Sequence, residues 1–423
     1  MGTNWRIFIK QEDWWVNWLG FLLLIAVFSG VVSHVPRFST WVTATDLLDQ
    51  SYGAMMLLML GTGLLCTLAM YFLEASPVSF ARAFPSVFVL AMAAFLIESH
   101  PFMKEYGLGY ALWALLIGLL ISNILAVPSW MKPAVRSELY IKVGLVLLGA
   151  RILFGRILEL GQYGIIVAWV VTPIVLLSMF WLGWKYLKLS PEFSITISAA
   201  TSVCGVSAAI AAAESCRARK EELTLAVGMT LIFTVAMMVG MPLLTQWMGL
   251  NDFVAGAWIG GTIDSTGAVA AAGEFIGPDA LATATVIKMI QNVMIGIIAF
   301  GIALFWVIYF AASDQQRSGL GVVWERFPKF ILGFVMASLI VSFILIPLLG
   351  PETVDARVSL ANGFRSWFFC LAFLCIGLET DFRKLWKQIE GGKPLLLYLV
   401  GQSFNVVLTF IVAWLVFSGY VPD

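Results

Sequence analysis

Residues 253–277 read FVAGAWIGGTIDSTGAVAAAGEFIG. Small residues dominate this stretch, and Thr262, Asp264, Ser265 and Thr266 sit together at its centre. A carboxylate in a run this apolar is costly in hydrocarbon, so it is expected to face a bundle interior or water and to mark a site. A second stretch, SITISAATSVCGVSAAIAAA at 194–213, has the same texture. The remainder of the chain reads as scaffold around these two.

Working outward, 61% of the 423 residues are hydrophobic and only 12% are charged, where a soluble domain carries about a quarter. The chain therefore reads as an all-α polytopic membrane protein, with the lipid bilayer as its main partner. Its formal net charge is zero, which gives no reason to expect a nucleic-acid partner. The cysteines at 66, 204, 216, 370 and 375 show neither a disulfide framework nor a metal motif, so no metal and no cofactor is expected. His34 and His100 fall at segment ends and read as interfacial residues. The opening MGTNWRIFIKQEDWWVNWLG places charges and tryptophans before the first apolar run. That is an interfacial anchor rather than a cleavable signal peptide.

A crossing helix needs about 20 apolar residues. Thirteen candidate segments follow: 15–35, 53–74, 83–99, 107–127, 139–155, 163–186, 194–214, 222–247, 253–275, 280–312, 328–349, 357–378 and 393–418. The seventh and ninth, 194–214 and 253–275, almost lack Leu. Tightly packed continuous helices would explain small residues. Interrupted helices explain them together with the polar centre, because irregular backbone at membrane depth survives where it is buried in protein or lines a cavity. Gly205, Gly260, Gly261 and Gly267 are the expected breaks.

Loop charge refines the count. Basic residues favour the cytoplasmic side. If the N-terminus, with Arg6 and Lys10, is cytoplasmic and every segment crosses, then Arg217, Arg219 and Lys220 fall outside. If segments seven and nine each enter and leave on one face, Lys185, Lys188, Arg217, Arg219 and Lys220 are all inside. So are Arg317, Arg326, Lys329, Arg383, Lys384, Lys387 and Lys393, while Asp252, Glu274 and Asp279 are outside. The expectation is 11–13 segments, two of them interrupted or re-entrant. A weak internal repeat accompanies it: LGARILFGR at 148–156 parallels IGLETDFRK at 376–384, each between apolar spans. Under the re-entrant topology the two copies are inverted, as is common in secondary transporters.

Taken in order, GLVLLGARILF, TSVCGVSAAIAA, WIGGTIDSTGAVAAAG, ATVIKMIQNVM, CLAFLCIGLET and KPLLLYLV resemble the YeiH family, for which sulfate export has been proposed. The resemblance spans about residues 105–418. It implies a multi-pass transporter of the bacterial cytoplasmic (inner) membrane, on a repeat scaffold related to cation–proton antiporters and bile-acid-type transporters. It divides the chain into extra N-terminal helices at 1–100 and a transporter core at 101–423. Lys288 matches the family pattern. Asp264, Ser265 and Ala268 stand where members often carry a His-Glu pair and a later Gln, and Gln291 stands where members can carry Arg. These departures leave substrate identity and His-based proton coupling open.

The candidate substrate-binding residues form three groups. Asp264 reads as a proton or cation relay, or as a helix cap. It lies with Gly261, Thr262, Ser265, Thr266 and Gly267. Lys288 shares a helix face with Gln291 and Asn292, and is expected to pair with Asp264 or with an anionic solute. On that reading Lys288→Ala removes transport and leaves assembled protein. Ser198, Thr201, Ser202, Cys204, Gly205 and Ser207 offer hydroxyls and backbone N–H groups that can cradle an anion, though Ser and Thr also bond back to their own helix. The leading expectation is a secondary transporter of a small anion such as sulfate, a sulfonate or a related oxyanion. A cation–proton antiporter is the alternative. No catalytic residues are expected: a hydrolase nucleophile with its base, a HExxH motif and an ATP-binding P-loop are all missing from the sequence. A homodimer is compatible with these features.

Overall fold

The computed structural model describes residues 11–105, 109–309, 327–383 and 392–420. The expected inside charges Arg6, Lys10, Arg317, Arg326, Lys384 and Lys387 lie outside those residues. Every regular element among the described residues is helical, and eight of these helices are long and apolar enough to cross a membrane. This is an all-α polytopic membrane protein. Two compact units divide it, one from residues 1–156 and 329–381, the other from residues 157–328 and 382–423.

The first unit contains α1 (Glu12–Phe28), α2 (Tyr52–Phe72), α3 (Pro77–Glu98), α4 (Tyr110–Leu120), α5 (Ser137–Arg151), α13 (Phe330–Ile340) and α14 (Pro351–Glu379). Its centre is α5 against α14. Ser137 Oγ donates to Glu379 Oε2 at 2.6 Å near one end, and Arg151 donates to Asn362 Oδ1 at 3.3 Å near the other. The two helices are thus antiparallel, and they carry the two copies of the sequence repeat at their C-terminal ends. Their ends match in conformation: Ile152 has φ −91°, ψ 109°, and Thr380 has φ −91°, ψ 95°.

The helices beside them match too. α4 continues into a π turn at Ile121–Leu125 (ISNIL), and α13 continues into one at Val341–Leu345 (VSFIL). Ser122 Oγ lies 2.9 Å and 2.8 Å from the Gly377 and Thr380 carbonyls at the end of α14. Ser338 Oγ donates to the Ile152 carbonyl at the end of α5, and Ser342 Oγ accepts the Phe154 N–H at 2.9 Å. Glycines make both approaches possible. A methyl on Gly377 would lie 2.5 Å from the Leu115 carbonyl oxygen, and one on Gly149 would lie 2.2 Å from that of Phe334. The repeat is therefore structural and inverted, and it extends over helix pairs rather than nine residues.

The second unit contains α6 (Phe154–Trp181, from residue 157), α7 (Pro191–Ser202), α8 (Ser207–Cys216), α9 (Lys220–Trp247), α10 (Asp252–Thr262), α11 (Thr266–Ile276), α12 (Pro278–Tyr309) and α15 (Lys393–Phe417). Segments seven and nine are broken, as α7/α8 and α10/α11. Both are hairpins. Cys216 Sγ, at the end of α8, lies 3.8 Å from the Glu192 carbonyl at the start of α7. A methyl on Gly277, just past α11, would lie 3.2 Å from Asp252 Oδ2 at the start of α10. The 28-residue α9 joins the foot of the first hairpin to the foot of the second, and at 1.5 Å per residue it is about 42 Å long. The hairpins therefore enter from opposite ends of α9, and their tips meet where the Gly205 N–H donates to the Asp264 carbonyl at 2.6 Å.

Three of the four glycines expected at the breaks lie elsewhere. Gly205 lies in the first interruption, but Gly260 and Gly261 are inside α10 and Gly267 is inside α11. Gly260 is small because α12 passes close: a methyl there would lie 2.6 Å from the Ala284 carbonyl oxygen. Gly261 faces Thr409 of α15 in the same way, at 2.7 Å from Cγ2. The second break is instead extended backbone at Ile263 (φ −71°, ψ 132°) and Ser265 (φ −122°, ψ 135°).

Candidate functional site

A broken helix exposes backbone carbonyls at the end of its first half and N–H groups at the start of its second. The carbonyl ends, at residues 201–203 and 261–263, are buried in the second unit and need partners. The carbonyl ends are satisfied by side chains from α12 and α15. Lys288 Nζ donates to the Val203 carbonyl at 2.5 Å and to the Ile263 carbonyl at 2.8 Å. Its third donor goes to Gln291 Oε1 at 2.8 Å. Gln291 Nε2 in turn reaches the Ser202 carbonyl at 2.8 Å and the Gly261 carbonyl at 3.4 Å. From α15, Gln402 donates to the Thr262 carbonyl at 3.2 Å, and Asn405 lies 3.4 Å from the Thr201 and Thr262 carbonyls.

Lys288 is only 1% exposed. An ammonium has three donors, and the protein uses all three. Val203 and Ile263 are equivalent residues: VCGVSAAIAAAE at 203–214 and IDSTGAVAAAGE at 263–274 align without a gap, each running from the break into the second half-helix. One cation therefore neutralises the negative ends of two half-helix dipoles at once. The expected Lys288–Asp264 ion pair does not form among the described residues, because the Lys288 donors are committed to carbonyls and Gln291.

Asp264 is equally buried, at 1% exposure. Its Oδ2 accepts the Tyr398 hydroxyl at 2.8 Å, and its Oδ1 has no partner within the protein. The cap reading does not hold. Ser265 is the residue in N-cap position on α11, and no side chain caps that helix end. Val206 stands at the start of α8, again without a side-chain cap. Both N-termini at the breaks thus keep their N–H groups free of side-chain caps. Asn292 Nδ2 donates to Thr266 Oγ1 at 3.0 Å beside one of them.

The remaining candidates divide. Ser198 and Thr201 bond back to the Ser194 and Ile197 carbonyls at 2.5 Å and 2.9 Å, so these two hydroxyls serve their own helix. Ser202 Oγ and Thr262 Oγ1 are buried without partners. Cys204 packs in an apolar cluster with Ala208 and Ala212. Ser265 and Thr266 are half-buried, Gly267 is buried, and Ser207 is exposed. A methyl on Gly205 would lie 2.9 Å from Thr230 Oγ1 and 3.5 Å from Asp264 Cβ, which keeps the tips in contact only with glycine there. No cluster of three metal-ligating side chains occurs among the described residues.

Sequence reasoning missed the α15 contribution. Tyr398, Gln402, Asn405 and Thr409 are all buried polar residues, and their spacing puts them on one helix face. That polar stripe in KPLLLYLVGQSFNVVLTF was the available signal. Thr172 of α6 was also missed, and its hydroxyl accepts from Gln291 Nε2 at 3.1 Å.

A family profile described as conserved hypothetical protein 698 matches residues 84–398. A UPF0324 membrane protein of Rhodopirellula baltica is 50% identical over 349 residues, covering 82% of this chain and 64% of the relative. A UPF0324 membrane protein of Nitratidesulfovibrio vulgaris is 47% identical over 374 residues, covering 87% of this chain and again 64% of the relative. The match thus spans less than two thirds of the length of these two relatives. The UPF0324 inner membrane protein YeiH of Escherichia coli K12 is 28% identical over 331 residues, covering 74% of this chain and 90% of that protein. No solved structure matches the chain.

Proposed function

The chain belongs to the UPF0324 family, the family of YeiH, and from that premise we propose that it is a secondary transporter moving a small anion by alternating access. Sulfate, a sulfonate or a related oxyanion is the substrate class. The Escherichia coli relative is named an inner membrane protein, which supports the bacterial cytoplasmic membrane as the location.

One observation carries the reading: two opposed hairpins meet at their tips, where side-chain donors meet the carbonyl ends and no side chain caps the N-termini. Lys288, Gln291, Gln402 and Asn405 occupy the carbonyl ends of α7 and α10. The positive N-termini of α8 and α11 have no side-chain cap. Helix N-termini attract anions through their free N–H groups and dipole. The Ser202 hydroxyl, buried and unpartnered, adds a donor at the same depth. Lys288 acts here by removing negative potential from the breaks rather than by touching the solute. The proposed role is transport, with no chemical step on the solute. Counterflow of labelled sulfate in proteoliposomes tests it.

The loop charges give the topology a separate check. Arg219 lies at the foot of the first hairpin, beside Arg217 and Lys220, and the foot of the second carries Asp252 and Asp279. Basic residues favour the cytoplasmic face. Arg219→Cys in a background without the native cysteines should react with an impermeant maleimide in inside-out vesicles and not in intact cells. Labelling from outside alone would reverse the assignment of the hairpins.

A further inference from the structure

We propose that the second hairpin and α15 form a binding site for a dehydrated monovalent alkali cation of sodium size, with Thr262 Oγ1, Asp264 Oδ1 and Gln402 Oε1 as its protein ligands. All three atoms are buried and without a partner within the protein. Thr262 closes α10 and Asp264 follows the extended residue Ile263, so the two flank the break, both about 1% exposed. Tyr398 and Gln402, one turn apart on α15, face that segment: Tyr398 donates to Asp264 Oδ2 at 2.8 Å and Gln402 Nε2 donates to the Thr262 carbonyl at 3.2 Å. Because the Gln402 nitrogen must face a carbonyl, its oxygen is the free atom.

At this site acceptors outnumber donors: Asp264 Oδ1 and Gln402 Oε1 are acceptors, and Thr262 brings the one hydroxyl. The nitrogens of Lys288, Gln291, Asn292, Gln402 and Asn405 all have acceptors, whereas every unpartnered buried side-chain atom among the described residues is an oxygen. Two of the three proposed ligands can only accept. An anion would add further acceptors and leave them unmatched. A proton on Asp264 alone would leave Gln402 Oε1 unmatched. Oxygen ligands suit hard cations, and the single carboxylate matches one positive charge, where divalent oxygen sites usually gather more. The role as coupling ion rests on the anion-transport reading, but binding does not.

The test uses detergent-purified full-length protein in choline chloride, titrated with NaCl or KCl at constant total chloride and fixed pH. Sodium should raise the unfolding temperature saturably by several degrees, potassium should do so more weakly, and Asp264→Asn and Gln402→Leu should each lose most of the sodium shift. Equal responses to sodium and choline in wild-type protein would overturn the site, whether or not the variants fold. A shift that follows pH and not sodium would overturn it in favour of a proton. A parallel titration with choline sulfate separates the two claims. Sulfate stabilisation without sodium stabilisation removes the cation site alone, and the converse removes the sulfate reading alone.

Discussion

Lys288→Met should cost the protein its stability as well as its transport. The substitution keeps the length of the side chain and removes all three of its hydrogen bonds. It leaves the Val203 and Ile263 carbonyls, which Lys288 now reaches at 2.5 Å and 2.8 Å, without that donor in a fully buried setting. An unsatisfied buried acceptor costs about 1–3 kcal/mol, so two cost on the order of 2–6 kcal/mol. The loss of the charge also returns the negative ends of two half-helix dipoles to the breaks. The expected result is a lowered unfolding temperature in detergent, measured by tryptophan fluorescence, together with absent flux. This reverses the sequence-based expectation that a Lys288 variant assembles normally. A variant with wild-type unfolding temperature and no flux would restore Lys288 to the solute.

Gly149→Val should abolish folding of the first unit. Its new methyl carbon would begin 2.2 Å from the Phe334 carbonyl oxygen, a backbone atom that cannot rotate away. The pseudo-equivalent Gly377, with Gly118 against it, faces the same obstacle from the Leu115 and Leu374 carbonyl oxygens at 2.5 Å and 2.3 Å. These glycines set the helix spacing that lets Ser122 and Ser338 reach the ends of α14 and α5. Gly149→Val and Gly377→Val should therefore give aggregated protein by size-exclusion chromatography. Gly240→Ala in α9 is the control. Nothing lies within 4 Å of a methyl there, and replacing a helical glycine by alanine is worth up to about 1 kcal/mol in the stabilising direction. A monodisperse Gly149→Val protein would mean that this helix pair can separate.

What the sequence revealed follows from how each feature is encoded. The hairpins were legible because close backbone approach demands small residues within the broken segments themselves, and because Lys and Arg gather at the foot of the first and not of the second. Asp264 and Lys288 were legible because a charge is rare in an apolar run. The partners of Lys288 were not, since backbone carbonyls leave no mark in the residue types of Val203 and Ile263. The α15 residues were hidden differently. Tyr398, Gln402, Asn405 and Thr409 are uncharged and scattered at helical spacing, so hydropathy averages them away. The glycines misled for a related reason: Gly260 and Gly261 serve packing against α12 and α15, whereas the second break is made by Ile263 and Ser265, types with no reputation as breakers. The repeat seen over 148–156 and 376–384 understated the symmetry. Half of it lies in backbone contacts of α4 and α13, and the hairpins enter it in different chain order, after the matching helix in one half and before it in the other.

The central claim is that the opposed hairpins move an oxyanion. Purified protein in liposomes preloaded with unlabelled sulfate, diluted into labelled sulfate at tracer level, measures this directly, with thiosulfate, sulfite and methanesulfonate as alternative internal loads. Saturable overshoot of label above protein-free liposomes with at least one of these anions inside, abolished by Lys288→Met, is the expected result. Label that never exceeds the protein-free level with any internal anion would contradict the account.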